Sequence, residues 1–161
     1  MEKKLILVNR LSPGDILMMT GAIRDLKLMH PNFLIDVRSP SSEIFWYNPR
    51  LTPLRDEDGE MIDMQYPLIH KSGATGAHFS DGHRLFLQEY LKVKIPKTSM
   101  YPEIFLSQDE INWVNQLKSE FDYEGPYWII NAGIKTDYTL KQYPFYQEVV
   151  DLLKDKITFV Q

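Results

Sequence analysis

The chain has 161 residues, of which 43% are hydrophobic and 25% charged, and its formal net charge at pH 7 is −4. This composition allows one or two packed domains and excludes a disordered chain. It argues against a general nucleic-acid surface, which needs clustered lysine and arginine, but leaves room for a local anion pocket. The sequence contains no cysteine, which excludes disulfides and thiolate chemistry.

The N-terminal residues lack a signal-peptide cleavage pattern, and no run approaches the roughly 20 apolar residues of a membrane span. The missing cysteines also favour a reducing compartment. We therefore expect a cytoplasmic protein without a transmembrane segment. The sequence leaves peripheral binding to a membrane surface as an alternative.

The first predicted unit is a strand, a polar turn and a helix. The continuous apolar run at residues 5–8 predicts a strand buried on both faces. Pro31 is predicted to end the helix. Ligands of open α/β folds bind at the carboxyl ends of the strands, so the turn Arg10–Asp15 is predicted to lie at the ligand edge. The apolar helix face comprises Met19, Ala22, Ile23, Leu26 and Met29.

The next segments give weaker signals. Phe33–Val37 predicts a second strand, parallel to the first because a crossover helix joins them. A short helix is expected at Ser41–Trp46. The aromatic residues Phe45, Trp46 and Tyr47 are predicted to be core, with an acceptor platform as the alternative. Residues 50–66 are weakly patterned. The acidic stretch Arg55–Glu60 is interpreted as a solvated turn rather than a metal loop, because it lacks the ligand spacing of a calcium loop.

Two further helices are predicted before residue 122. Lys71–Gly76 is interpreted as a mobile loop, since it lacks the full phosphate-loop pattern. A helix after His78 is expected to present one face built from Phe79, His83, Phe86 and Tyr90, with Leu87 and Leu91 beside them. The capping box Ser107–Glu110 predicts a helix whose inward residues are Ile111, Val114, Leu117 and Phe121.

Turn residues at Asp122–Pro126 predict a domain boundary, giving domains 1–125 and 126–161. In the second domain, Tyr127–Ile130 predicts a buried strand and Ile157–Val160 another. Pro144 is expected at the first position of a helix between them. The inward residues of that helix are predicted to be Phe145, Val149, Leu152 and Leu153. We expect this second domain to be incomplete.

Three stretches in order resemble the heptosyltransferase-type glycosyltransferases of family 9. The first is Gly14-Asp15-Ile16-Leu17 with the pattern I-R-x-L-K-x-x-x-P that ends at Pro31. The second is the segment His78–Leu91. The third combines Asn131-Ala132-Gly133 with Lys141-Gln142-Tyr143-Pro144.

This resemblance implies a GT-B architecture, in which two Rossmann-like, doubly wound parallel sheets flank the active site. The implied reaction is an inverting transfer of a sugar from a nucleotide-diphosphate donor to a glycan acceptor hydroxyl, in the synthesis of cell-surface glycans such as lipopolysaccharide. Neither a metal nor a cofactor is implied. By position, Asp15 matches the catalytic base. The substrate-binding residues would be Arg10, Ser12, Gly14 and His78, and the donor-phosphate residues Gly133, Lys135, Thr136 and Lys141.

The chain also departs from that family. Gly21 stands where many members have proline, the region Pro49–Ser72 is short, and the donor loop of the type D-[ST]-G-x-x-H does not occur. A non-catalytic binding or scaffold module, or an inactive fragment of such an enzyme, is therefore the alternative. A flavodoxin-like or receiver domain fits less well, because no acidic pair follows the first strand and no flavin phosphate loop occurs.

Single residues also have simpler interpretations. Asp15 is a favoured helix N-cap, and Gly14 can supply a positive φ to the turn. Lys141 can be an ordinary surface lysine, and the ring of His83 can serve packing alone.

Overall fold

The computed structural model describes residues 3–132 and 143–161, and only the backbone at residues 72 and 79. Parallel strands and helices alternate along it, which confirms the α/β class. The chain separates into one unit that extends to Ile111 and another that begins at Asn112. The predicted boundary between residues 125 and 126 stays a prediction. In the described ranges, no helix is both long and apolar enough to cross a membrane.

The first unit is built on a three-stranded parallel sheet in the order β2–β1–β3. Its strands are β1 (Lys3–Val8), β2 (Phe33–Arg38) and β3 (Glu60–Asp63). In the central strand, residues 5–7 are fully buried, because β2 and β3 cover its edges and side chains cover its faces. This confirms the predicted strand buried on both faces.

Strand β3 lies in the region that the sequence analysis took as weakly patterned. Residues 61–68 in fact alternate strictly between exposed and buried side chains. The buried members are Ile62, Met64, Tyr66 and Leu68. This period of two is typical of a strand with one covered face, and it continues beyond the end of β3 at Asp63. The polar residues around it make the pattern hard to detect in the sequence.

Helix α1 (Pro13–Met29) covers the sheet with the apolar face that the sequence predicted. Ile16, Met19, Ile23 and Leu26 are fully buried in the core. Met29, also placed on that face, is exposed at the last helical position. The last helical residue is Met29, and His30 is the C-cap directly before Pro31. This agrees with the restriction that proline places on the backbone of the residue before it.

Arg24 ties α1 to a loop far away in sequence. Its guanidinium donates to the carbonyl oxygens of Ser99 and Tyr101, at 3.0 and 2.8 Å, and to Thr98 Oγ1 at 3.0 Å. Its buried neighbour Asp25 lies 3.1 Å away and compensates the charge. These hydrogen bonds and the Asp25 charge offset the free-energy cost of burying the guanidinium group. The pair therefore fixes the loop against the helix.

Helix α3 (Gly82–Leu91) packs on α1 after a 3₁₀ turn at Phe79–Asp81. Its buried face carries His83, Leu87 and Leu91, whereas Tyr90 is exposed. The buried face of α3 is therefore rotated about the helix axis relative to the predicted face. The cause is that α3 begins at Gly82, so the periodicity does not extend back to residue 79.

Short elements complete the first unit. Residues 71–76, expected to be a loop, contain one helical turn, α2 (Ser72–Thr75), in which the Lys71 carbonyl accepts from two backbone amides at 3.1 Å. A 3₁₀ turn at Asp56–Asp58 carries the acidic stretch, where Arg55 donates to Asp58 at 2.8 and 3.0 Å. Another 3₁₀ turn spans Ser42–Phe45.

The long helix predicted after the capping box is wrong. The box itself forms, since Glu110 N donates to Ser107 Oγ at 3.2 Å and Ser107 N to Glu110 Oε2 at 2.7 Å. However, α4 (Gln108–Ile111) stops after four residues, and α5 (Gln116–Phe121) begins anew. Asn115 caps α5 by accepting from Lys118 N at 2.9 Å, and such a cap starts a helix rather than continuing one. The predicted inward residues Ile111, Val114 and Phe121 are exposed.

The second unit holds α5, the two parallel strands β4 (Tyr127–Ile129) and β5 (Thr158–Val160), and helix α6 (Tyr146–Leu153). The prediction of a buried strand is wrong here, because Ile129 is 74% exposed. The inward position assigned to Leu152 is also wrong, because it is 78% exposed. In the described residues of this unit, two short strands and two short helices leave the sheet exposed. Pro144 lies in a turn two residues before α6, not at its first position.

Candidate functional site

The turn after β1 forms the start of helix α1. Pro13 occupies the first helical position, where its missing N–H costs nothing, and Ser12 is the cap residue. Asp15, in the first turn, accepts a hydrogen bond of 2.6 Å from Ser12 Oγ through its Oδ2 atom. The simpler interpretation of Asp15 as the N-cap is therefore wrong. A half-buried carboxylate at this place is stabilised by the positive end of the helix dipole.

This turn lies at the point where the chain changes the direction in which it adds strands to the sheet. The chain passes from β1 outward to β2 and then returns across β1 to β3, so the gap between β1 and β3 is a topological switch point. Arg10, just after β1, and Asp63, at the end of β3, form an ion pair of 3.0 Å across it. Both side chains are exposed, which makes the pair weak and easily replaced by a ligand.

His83 supports the Asp15 turn from behind. Its Nε2 atom lies 3.0 Å from the Asp15 backbone oxygen and must carry the hydrogen, because a carbonyl only accepts. Its Nδ1 atom is buried without a hydrogen bond of normal geometry. Burial lowers the pKa of His83, although the Asp15 and Gln65 backbone and the Asp15 charge act in the opposite direction. The imidazole is therefore neutral in neutral solution.

Tyr66 completes this support. Its ring stacks on His83 with the ring centroids 4.5 Å apart. Burial, and then the nearby charge of Asp15, raise the pKa of Tyr66 to about 12, so the phenol stays protonated. Gly82 leaves room for the stack, because a Cβ there would lie 2.2 Å from Tyr66 Cδ2. Asp15 is thus held by groups from two other parts of the unit.

A cavity of about 370 Å³ opens beside this turn at the ends of β1 and β2. Its lining is formed by Val8, Arg10, Arg38, Ser39 and Pro40. An anion could pair with the guanidinium groups of Arg10 and Arg38 only in competition with the carboxylates that already hold them, which for Arg10 is Asp63 at 3.0 Å. Arg38 is also held by Asp36 and Asp56, both at 2.8 Å. Asp15 is not among the lining residues, so the carboxylate and the cavity are neighbours rather than one pocket.

The remaining predicted site residues have different positions. Gly14 is the second residue of α1 and has helical backbone, so the alternative of a positive φ is wrong. His78 is exposed before the 3₁₀ turn, with Nδ1 2.7 Å from Ser80 Oγ. The predicted donor-phosphate residues Gly133, Lys135, Thr136 and Lys141 lie outside the described residues.

Four residues of this region did not appear among the predicted site residues: Arg38, Asp63, Tyr66 and His83. Asp63 and Tyr66 carried a usable signal, since they belong to the alternating pattern of residues 61–68 and Asp63 ends a parallel strand. His83 had none beyond its place on an apolar helix face. In the described ranges, no group of three or more histidine or acidic side chains is arranged to hold a metal ion.

The second unit has a separate cavity of about 750 Å³ near the carboxyl end of β4. It is lined mainly by aromatic and aliphatic side chains: Tyr127, Trp128, Ile129, Tyr143, Tyr146, Val149 and Phe159. Asn131 contributes a polar group directly after the strand. Its position relative to the strand is that of a ligand site in an open α/β fold.

Comparisons with protein-family models, with curated proteins and with solved structures found no match to this chain. The assignment of a function therefore depends on the geometry of the chain and on the motifs in its sequence.

Proposed function

We propose that this chain takes part in an inverting glycosyl transfer, in which Asp15 removes the proton from an acceptor hydroxyl as that oxygen attacks the anomeric carbon of a nucleotide-diphosphate sugar. The bond from that carbon to the phosphate oxygen breaks, and the nucleoside diphosphate leaves from the opposite face. The observation that carries the proposal is the position of the Asp15 carboxylate. It is half-buried in the first turn of α1, beside the switch point between β1 and β3. Ligands of open α/β folds bind at such a point.

The surroundings of Asp15 suit a general base. Ser12 occupies Oδ2, whereas Oδ1 has no hydrogen-bond partner in the described part of the chain and can accept a proton. The carboxylate lies in the first turn of α1, at the positive end of the helix dipole. The backbone of the turn is held by His83, so the carboxylate has a defined direction. Positioning of this kind is what general base catalysis requires.

The wider architecture supports the same proposal. The order β2–β1–β3 occurs in doubly wound sheets, including flavodoxin-like ones, so it supports a ligand edge at this point and not a GT-B arrangement in particular. We assign the acceptor to the first unit and the nucleotide-sugar donor to the second, where the aromatic cavity follows β4. A GT-B arrangement of Rossmann-like domains and a cytoplasmic location belong to the proposal, as do the donor-phosphate roles of Gly133, Lys135, Thr136 and Lys141.

One observation favours a second candidate, a non-catalytic binding module. The cavity lined by Arg10 and Arg38 can hold an anion without any part for Asp15, because Asp15 does not line it. In this case the chain would bind a phosphorylated or carboxylated ligand and release it unchanged.

A transfer assay separates the two candidates. The full chain is incubated with mixtures of nucleotide-diphosphate sugars and short glycan acceptors, and glycoside products are detected by mass spectrometry. Asp15→Asn is expected to reduce the rate by about 100-fold or more, the usual contribution of a general base. The matched control is Asp109→Asn, an exposed carboxylate in the first turn of α4, which should keep the wild-type rate. Transfer by Asp15→Asn at the wild-type rate would contradict the role of Asp15. Binding of a donor or acceptor without any product would favour the binding module.

A further inference from the structure

The structure leaves two aromatic side chains in solvent beside β2. Of the three aromatic residues predicted as core, only Phe45 is buried, whereas Trp46 is 57% and Tyr47 62% exposed. Both exposed residues line a pocket of about 320 Å³ that also includes Asp36, Ser42 and Asn48. This pocket is separate from the arginine-lined cavity.

The backbone at Tyr47 is unusual. Its φ is +57°, in the left-handed region that favours glycine or asparagine. Bulky residues rarely adopt it, because the Cβ atom approaches the backbone. The conformation follows the 3₁₀ turn Ser42–Phe45, where the usual choice at a helix end would be glycine. Among the described residues, His70, Lys92 and Asp122 also have a positive φ, so the conformation alone does not assign a function. At Tyr47 it fixes the direction of an exposed ring.

The surrounding segment holds this arrangement in place. Trp46 N donates to Glu43 O at 3.2 Å and Asn48 N to Phe45 O at 3.3 Å. Asn48 is buried and accepts from Arg50 N at 3.0 Å through Oδ1, which leaves its NH₂ group as the donor available to a ligand. The exposed rings therefore belong to an ordered turn.

The lining indicates the class of ligand. Aromatic faces bind the C–H face of a pyranose ring, and carboxylate, amide and hydroxyl groups bind its hydroxyls. Among the described residues that line the pocket there is one carboxylate, Asp36, and no lysine, arginine or histidine. Arg38 lies 2.8 Å from Asp36 and compensates its charge, so the lining suits an uncharged ligand. The volume is at the lower end for ligand pockets, which suits one or two sugar rings.

We infer that the pocket formed by Trp46, Tyr47, Asn48 and Asp36 is a binding subsite for an uncharged sugar of the glycan acceptor. As an acceptor subsite this inference rests on the proposed function, although sugar binding can be measured without any transfer. The rings provide the stacking surface, and the Asn48 amide is the polar group that meets the sugar hydroxyls. Asp36 holds the wall of the pocket in place, because its carboxylate accepts from Val37 N and Leu54 N at 2.8 Å.

Saturation-transfer difference NMR on the full chain tests the inference. The probes are methyl β-D-glucopyranoside, N-acetylglucosamine and maltotriose. We expect saturation of the ring protons of at least one probe, and at least a tenfold weaker affinity in Trp46→Ala and in Tyr47→Asn. The matched control is Trp113→Ala, which removes a tryptophan that is even more exposed, 77% against 57% for Trp46, from outside the pocket and should bind as wild type does.

Tyr47→Asn also tests the strain argument, because asparagine tolerates the left-handed conformation. Its melting temperature should equal or exceed that of the wild type while sugar binding is lost. A large fall in melting temperature would overturn the inference, since it would show that the ring serves packing. Absence of any sugar signal would overturn it too, as would capture of a protein partner through Trp46 and Tyr47 in place of sugar.

Asp15→Asn separates this inference from the proposed function. The variant should bind the sugar probes with wild-type affinity, because Asp15 does not line the pocket. Loss of transfer with retained sugar binding would support both proposals. Retained sugar binding with undiminished transfer would contradict only the role of Asp15.

Discussion

Each unit of this chain contains an apolar run that predicts a buried strand, but the strands β1 and β4 differ in how they are packed. In the first, β1 is fully buried at residues 5–7, because strands flank both of its edges and Leu5 and Leu7 belong to one core cluster with side chains of α1 and α3. In the second, β4 pairs only with β5 among the described residues, and Ile129 remains 74% exposed. An apolar run therefore predicts a strand, but its burial depends on how many layers cover it.

The largest expected effect follows directly from this difference. Leu26→Ala, in the fully buried face of α1, should lower the free energy of unfolding by about 2–5 kcal/mol, because it leaves a cavity in the core. Leu152→Ala, on the exposed side of α6, should change it by less than about 0.5 kcal/mol. Urea unfolding followed by circular dichroism measures both. Equal losses would mean that Leu152 is buried in solution and that the two units do not differ.

The next effect concerns the contact between Tyr66 and His83. In Gly82→Ala the new Cβ would lie 2.2 Å from Tyr66 Cδ2, so the ring must move away. We expect a loss of about 1–3 kcal/mol in the free energy of unfolding, as for other overpacked sites. Gly73→Ala is the control, because a Cβ there meets no atom within 4 Å. An unchanged stability of Gly82→Ala would show that Tyr66 does not stack on His83.

A smaller effect, confined to acidic solution, tests the burial of His83. Burial lowers its folded-state pKa below the ordinary value of 6.5, so the unfolded chain binds the proton first as the pH falls. The contribution of His83 to stability should be complete above pH 6.5 and decrease below it, down to the folded-state pKa. His83→Gln should remove this part of the pH dependence of unfolding, whereas the exposed His78→Gln should keep it. A wild-type pH dependence in His83→Gln would contradict the assignment.

The smallest expected effect is a gain. Gly14 is helical, and a Cβ there meets no atom within 4 Å. Gly14→Ala should therefore raise the free energy of unfolding by up to about 1 kcal/mol, because alanine loses less backbone entropy in a helix. Thermal unfolding measures the change. A loss of stability would show that residue 14 needs a backbone that only glycine provides.

The sequence predicted those elements whose hydrophobic period is long and uninterrupted. The residues 5–8 and the helix face from Met19 to Leu26 needed no further information. It failed where one residue overrides the period, as Asn115 does by capping a new helix inside the expected one. It also failed for the second unit, because the number of covering layers is not encoded in a local pattern.

The candidate site divides in the same way. Arg10, Ser12 and Asp15 are close in sequence, and the turn after a buried strand identified them. Their partners Asp63 and His83 are 53 and 68 residues further along the chain than Arg10 and Asp15. Such contacts are decided by the packing of β3 and α3 on the sheet, which one sequence does not reveal. Tyr47 belongs to neither of these two groups of residues, because its left-handed backbone conformation is visible only in the structure.

The central claim is that ligands meet this chain at the switch point between β1 and β3. Its most direct test is a map of backbone amide chemical shifts in the full chain during titration with nucleotide-diphosphate sugars and short glycans. We predict that the amides of Arg10, Ser12, Asp15 and Asp63 shift together and saturate with one dissociation constant. Saturable shifts confined to other residues, with these four unchanged, would contradict the claim.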